Sequence, residues 1–150
     1  MFESEKKEML ECALKLDRYG LIALSGGNVS VRAGDDLFIV TPSGMVYDEM
    51  VPEDMLVVDG KGNVVEGTRK ASVDTAALLY IFHHMPKVNA VIHTHQPYAT
   101  GLGLVMDEIP CNLSTMANAV EGPCHVANYG NPGSLSMGAQ AVESIGDQLA

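Results

Sequence analysis

The order of elements in this sequence predicts an α/β or α+β fold, with a largely antiparallel sheet flanked by helices. Three observations carry that prediction: helical periodicity near the start, middle and end, short apolar runs bunched between the first two helices, and turn residues that punctuate those runs. Residues 3–19 place Met9, Leu10, Ala13, Leu14 and Leu16 at roughly the helical period, and Gly20 stops them. Leu37-Phe38-Ile39-Val40-Thr41 reads as a buried strand closed by the turn Pro42-Ser43-Gly44. Met55-Leu56-Val57-Val58 and Val64-Val65-Glu66 read as a hairpin around Asp59-Gly60-Lys61-Gly62-Asn63. Ser72 can cap a helix over residues 74–84, which ends before Pro86. Residues 88–95 read as a strand, and Ser134 can cap a last helix running toward Leu149.

Bulk properties bound the function. A chain of 150 residues suits one domain, and 47% hydrophobic with 19% charged residues is globular rather than disordered composition. Apolar runs such as residues 76–82 are too short to cross a bilayer, and Met1 leads into a charged segment rather than a signal core, so the expectation is a cytoplasmic protein with no membrane partner. Cys12, Cys111 and Cys124 are odd in number and widely spaced, which fits isolated thiols. The net charge of −10 and the lack of any lysine or arginine cluster argue against nucleic acid. Positive potential for an anionic substrate must then be local: backbone N–H groups, a metal ion, or the isolated Arg32, Arg69 and Lys70.

The residues able to do chemistry fall in a few short segments. In Val91-Ile92-His93-Thr94-His95, strand alternation sends positions two apart to one face, so His93 and His95 present paired imidazoles. Such a pair suits a divalent ion of borderline softness; two ordinary histidines at a strand end are the competing reading. Asp74, one connection upstream, can bring a carboxylate to that pair as a ligand or proton acceptor, or can simply favour its helix dipole. Ser25-Gly26-Gly27-Asn28-Val29-Ser30 can turn backbone N–H groups toward an anion, with Ser25 and Asn28 adding side-chain donors, and Thr41-Pro42-Ser43-Gly44 is a second such loop. Neither has the spacing of a Walker or dinucleotide loop.

Taken together and in this order, the segments resemble the class II aldolase/adducin family. The matching stretches are Gly26-Gly27-Asn28-Val29-Ser30-Val31-Arg32, Thr41-Pro42-Ser43-Gly44, Ser72-Val73-Asp74-Thr75, Val91-Ile92-His93-Thr94-His95 and Ile109-Pro110-Cys111. The resemblance implies a three-layer α/β/α fold, a Zn2+ ion (or Mn2+ or Co2+) on His93 and His95, and catalysis involving Asp74. It also implies phosphate held by Gly27, Asn28, Ser43, Gly44 and Ser72, and a symmetric homotetramer. The chemistry implied is the making and breaking of a C–C bond in a phosphorylated ketose through an enediolate. Ser72-Val73-Asp74-Thr75 and the His-Thr-His triplet are nearer the L-ribulose-5-phosphate 4-epimerase form, so the reading leans to an epimerase. An L-fuculose-phosphate aldolase-like lyase is the alternative, and a non-catalytic adducin-like scaffold, which has no need of the histidine pair, is the reading from another class.

Two departures qualify the resemblance. The family's third histidine ligand lies in a His-Gly strand after the last helix, whereas this sequence reaches Gln148-Leu149-Ala150 at that helix. The expectation is therefore one domain over residues 1–150 that lacks its C-terminal part, with His83, His84 and His125 outside the ligand position. Aligned through Ile109-Pro110, the epimerase's acid falls on Asn118 and the aldolase's tyrosine on Ser114, neither of which is a good proton carrier near neutral pH.

Overall fold

The computed structural model describes residues 1–148; Leu149, the expected end of the last helix, and Ala150 lie outside the described residues. The first strand, β1 (Asn28–Arg32), pairs antiparallel with both β2 (Leu37–Val40) and β5 (Ala90–His93). On the far side, β2 pairs with β3 (Leu56–Asp59), and β3 with β4 (Val64–Glu66) through a register shift at Val57/Val58. The sheet order is thus β4-β3-β2-β1-β5, antiparallel throughout, with β5 at one edge.

Alternation along these strands builds two cores. Val29, Ile39 and Val57 face Met9, Ala13 and Leu16 of α1 (Glu3–Arg18). Phe38, Val40, Leu56 and Val58 face Leu78, Leu79 and Phe82 of α2 (Thr75–His84). A helix on each face of the sheet gives the three α/β/α layers. Arg32 ties the second core shut: its guanidinium donates to Phe82 O at 2.7 Å and Val88 O at 3.2 Å, and lies over the Phe38 and Phe82 rings. It thereby satisfies a carbonyl at the end of α2 that no helical N–H can reach.

The expected helices and strands are present with small shifts. The hairpin loop is held by Asp59, whose carboxylate accepts from Lys61 N, Asn63 N and Asn63 Nδ2. Ser72 does not cap α2 as expected: Asp74 occupies the N-cap position without a capping side-chain bond, while Ser72 Oγ accepts from Asp74 N at 3.3 Å. The strand expected over residues 88–95 is shorter, because the turn at Met85–Val88 delays its start and pairing with β1 ends at His93.

Other elements were not expected. β1 was hidden by the glycines before it. Short α3 (Pro97–Gly103), β6 (Glu108–Ile109), α4 (Ser114–Val120) and β7 (Cys124–His125) contain no buried residue and therefore leave no apolar periodicity to read. The last helix, α5 (Leu135–Ile145), packs on α2 through Gly138, which is buried. Among the described residues, no helix is long and apolar enough to cross a membrane. The three cysteines are free and half-buried.

A methyl group on Gly138 would sit 2.6 Å from Ala77 O and 2.8 Å from Tyr80 Cβ. Gly138→Ala is therefore expected to force α5 off α2 and cost about 1–3 kcal/mol, read as a lower urea midpoint. An unchanged midpoint would mean that this contact is not how α5 docks.

Candidate active site

Four sequence-distant segments converge at one end of the sheet because of strand direction. β1 begins there at Asn28, its antiparallel neighbours β2 and β5 end there, and α2 begins there just after Asp74. The Gly-Gly loop, the Thr41–Gly44 turn, Ser72–Asp74 and His93–His95 thus share one rim. Two of these loops are joined by a β-bridge between Pro42 and Ala71, with Ser43 N donating to Lys70 O at 2.8 Å and Ser72 N to Thr41 O at 3.2 Å.

Asn28 and His93 are direct partners across the β1–β5 pair. The Asn28 amide Nδ2 donates to Asp74 Oδ2 at 2.8 Å, and His93 Nδ1 lies 3.2 Å from that same oxygen. Asp74 is buried and His93 is partly exposed, so the carboxylate stands behind the imidazole rather than in front of it. His95 lies beyond the strand end, yet its N–H donates to Leu21 O at 3.0 Å, which holds its place, and the two rings sit 4.9 Å apart. The paired imidazoles expected from alternation are therefore side by side, with the second fixed by Leu21 rather than by strand pairing.

The glycines before Asn28 have a packing reason. A Cβ at Gly26 would meet His95 Nδ1 at 2.8 Å, and one at Gly27 would meet His93 O at 2.6 Å and Ile22 Cγ2 at 2.7 Å. Gly27 also has φ of +73°, a conformation that side-chain-bearing residues rarely adopt. Tyr47, which sequence reasoning did not single out, holds this loop from below: its hydroxyl donates to Gly27 O at 2.9 Å, and burial, with a smaller contribution from Asp17, pushes its pKa up to about 12. An isolated tyrosine opening a single 3-10 turn (Tyr47–Glu49) leaves no pattern that would have flagged it.

The remaining expected groups sort as follows. Gly44 is exposed with φ of +72°, and Ser43 is half-buried. Of the three isolated cations, Arg32 is taken up by the second core, and Arg69 pairs with Asp54 at 2.7 Å. Burial alone would raise the Asp54 pKa, but Val51 N–H and Arg69 outweigh it and hold the carboxyl below its ordinary value. Lys70 is exposed beside the Ser43 turn. His83 lies edge-on to Phe38, His84 stacks on Tyr80, and His125 faces Glu108 at 3.4 Å, so none of them joins the histidine pair. Asn118 and Ser114 are exposed on α4.

The donor chemistry fits a divalent ion in part. With Nδ1 of His93 turned to Asp74, the ring's Nε2 is left for a ligand, the arrangement seen where a carboxylate orients a metal-binding histidine. Among the described residues, no group of three or more His, Cys, Asp or Glu side chains is placed to hold an ion.

Because Gly27 combines a left-handed backbone with contact to the His93 carbonyl, Gly27→Ala is expected to lower stability by about 2 kcal/mol or more. Chemical denaturation tests this, and a loss under half that size would show that the loop relaxes freely.

Comparison with known proteins bears on the family and the fold. The family model described as the class II aldolase and adducin N-terminal domain matches residues 7–150. A solved L-fuculose 1-phosphate aldolase is 30% identical, with a TM-score of 0.88 over 95% of this chain and 68% of that one. The Escherichia coli protein YgbL, described as an aldolase, epimerase or decarboxylase without choice among them, is 22% identical, with a TM-score of 0.85 over 97% of this chain and 72% of that one. The L-fuculose-1-phosphate aldolase of Thermus thermophilus is 23% identical, with a TM-score of 0.79 over 93% and 69% respectively. The last two likenesses speak to fold alone. With a family model spanning nearly the whole chain and four motif loops meeting on one rim, the chain belongs to the class II aldolase and adducin N-terminal domain family.

Proposed function

We propose that residues 1–150 form one domain of a metal-dependent sugar-phosphate aldolase, a lyase that cleaves a C–C bond in a phosphorylated ketose. The observation that carries this reading is the contact of Asp74 with His93 on the rim that also gathers both glycine-bearing loops. The lyase is preferred to the epimerase because whole-chain similarity to an L-fuculose 1-phosphate aldolase outweighs the Asp-for-Glu difference at position 74, a change of one methylene. Asp74 and the His-Thr-His triplet keep the L-ribulose-5-phosphate 4-epimerase as the second reading.

In the proposed site, His93 and His95 hold Zn2+ or a related divalent ion, and such an ion supplies Lewis-acid polarisation of substrate oxygens. Asp74 orients His93 through Oδ2, and as the one carboxylate in the four converging segments it is assigned the transfer of a substrate proton. The substrate phosphate is assigned to the Gly27–Asn28 backbone, the Gly44 N–H and the hydroxyls of Ser43 and Ser72. The N–H groups of Ser43 and Ser72 are already bonded to carbonyls, so those two residues would act through oxygen rather than nitrogen. Lys70 is the isolated cation left exposed next to this turn.

A homo-oligomer, a tetramer by family resemblance, is part of the proposal. It is supported by Tyr98, Leu104, Val105 and Tyr129, each about four-fifths exposed in the segment that has no core of its own. Sedimentation equilibrium is expected to give a multimer; a monomer at micromolar concentration would remove this part of the reading.

His93→Ala and His95→Ala are each expected to abolish stoichiometric zinc binding and lower retro-aldol turnover by at least a hundredfold. Assays on L-fuculose 1-phosphate and L-ribulose 5-phosphate, with atomic absorption for zinc, test this. Faster epimerisation than cleavage would favour the second reading, and full activity without bound metal would overturn both.

A further inference from the structure

Tyr47 is 1% exposed among the apolar residues of the first core, a place whose packing the ring alone would serve. A buried hydroxyl costs stability unless it is hydrogen-bonded. Here it donates to Gly27 O at 2.9 Å and also reaches Gly26 O at 3.3 Å. Both carbonyls belong to the loop before β1, while Tyr47 follows the Thr41–Gly44 turn in the chain. The hydroxyl therefore braces one rim loop from the segment that continues the other.

Backbone directions show what the brace does. Arg32 N donates to Asn89 O and Thr41 N to Val29 O, so Asn28, Ser30 and Arg32 turn their N–H groups toward β5, and Val29 and Val31 turn theirs toward β2. The Asn28 N–H thus faces the strand that carries His93. In an extended chain successive carbonyls point to opposite sides. Gly26 O and Gly27 O instead reach one hydroxyl, and the φ of +73° at Gly27 is what brings them to the same side. Across a trans peptide, the C=O of one residue and the N–H of the next point opposite ways, and no cis peptide occurs among the described residues. With Gly26 O turned to Tyr47, the Gly27 N–H is turned away from the core, and it has no hydrogen-bond partner among the described residues. Glycine on both sides lets this peptide rotate through conformations closed to other residues. Turned over, it would put a carbonyl oxygen where the N–H now is, and so repel an anion.

We propose that Tyr47 is a positioning residue: its hydroxyl keeps the Gly26–Gly27 peptide from turning over, so that the Gly27 N–H stays outward as this loop's backbone donor to the substrate phosphate. Of the Gly27–Asn28 backbone, the donor is then Gly27, since the Asn28 N–H is turned to β5. The orienting role stands on geometry alone. Its value for binding rests on the phosphate assignment proposed above.

Tyr47→Phe keeps the ring in the core and removes only the hydroxyl. It is expected to broaden the Gly27 amide resonance of the nitrogen-labelled chain by exchange between two peptide orientations. The KM for the sugar phosphate and the inhibition constant of inorganic phosphate are expected to rise together by about tenfold, the size of one hydrogen bond to a charged group. Both kcat and zinc affinity are expected to stay unchanged, a split that general loosening of the fold would not produce. In wild type, inorganic phosphate is expected to shift the Gly27 amide and slow its exchange with solvent, a measurement that serves if Tyr47→Phe does not fold. A Tyr47→Phe chain with a sharp Gly27 resonance and unaltered phosphate inhibition would overturn the proposal. So would phosphate binding to wild type that moves the Ser43 and Gly44 amides and leaves Gly27 untouched. If wild type binds no phosphate while Tyr47→Phe still broadens Gly27, the phosphate assignment fails and the orienting role survives.

Discussion

The pairing of β1 with β5 is the constraint on which the rest of the site depends. Antiparallel register sets Asn28 opposite His93, and from that one pairing the other contacts follow. The Gly27 backbone must pass within contact of the His93 carbonyl, the Asn28 amide meets Asp74, and Asp74 meets the imidazole. Glycine at positions 26 and 27 is required less for anion capture than for allowing the loop to lie against the histidine segment. Tyr47 acts on the same loop from the core side, donating to its carbonyls and thereby holding its shape. A register shift of one residue between β1 and β5 would turn Val29 toward His93 and dismantle all of this at once.

The two cores explain why the site can be both polar and buried. Arg32 and Lys6 are cations spent on structure, the first over Phe38 and Phe82, the second bonded at 2.7 Å to Glu66. A chain of net charge −10 thus offers little free positive charge at the rim, so the anion recognition proposed for it would fall to backbone and hydroxyl donors, supplemented by the proposed metal ion. The carboxylate there is not left to solvent; it is held by an amide and an imidazole, both from β-strands.

Legibility from sequence followed burial and period. The helix over residues 3–18, the strand at Leu37–Val40 and the hairpin that follows were readable because each buries a regular apolar face. The histidine pair was readable because its spacing matches the strand period. Asn28–Arg32 was not read as a strand: its alternating Asn, Ser and Arg make polar contacts inside the protein, and together with the glycines before it they look like a loop when only hydrophobicity is followed. The elements between Pro97 and His125 were invisible for a different reason, since none of their side chains is buried. At the site, the residue types and the glycines could be read, whereas the roles of Asn28 and Tyr47 depend on contacts between segments tens of residues apart.

The edge position of β5 has a dynamic consequence. Among the described residues β5 is hydrogen-bonded on one flank only, and a strand so placed opens more readily than its central neighbours, so there the backbone carrying the histidines belongs to the less protected part of the sheet. Ile92, half exposed on the opposite face from His93, adds little to hold it down. Any ligand that bridges His93 and His95 therefore does more than occupy the rim. It clamps two points of a fraying edge, and part of its binding free energy is spent on suppressing local opening, so occupancy and the amide-exchange protection of β5 rise together.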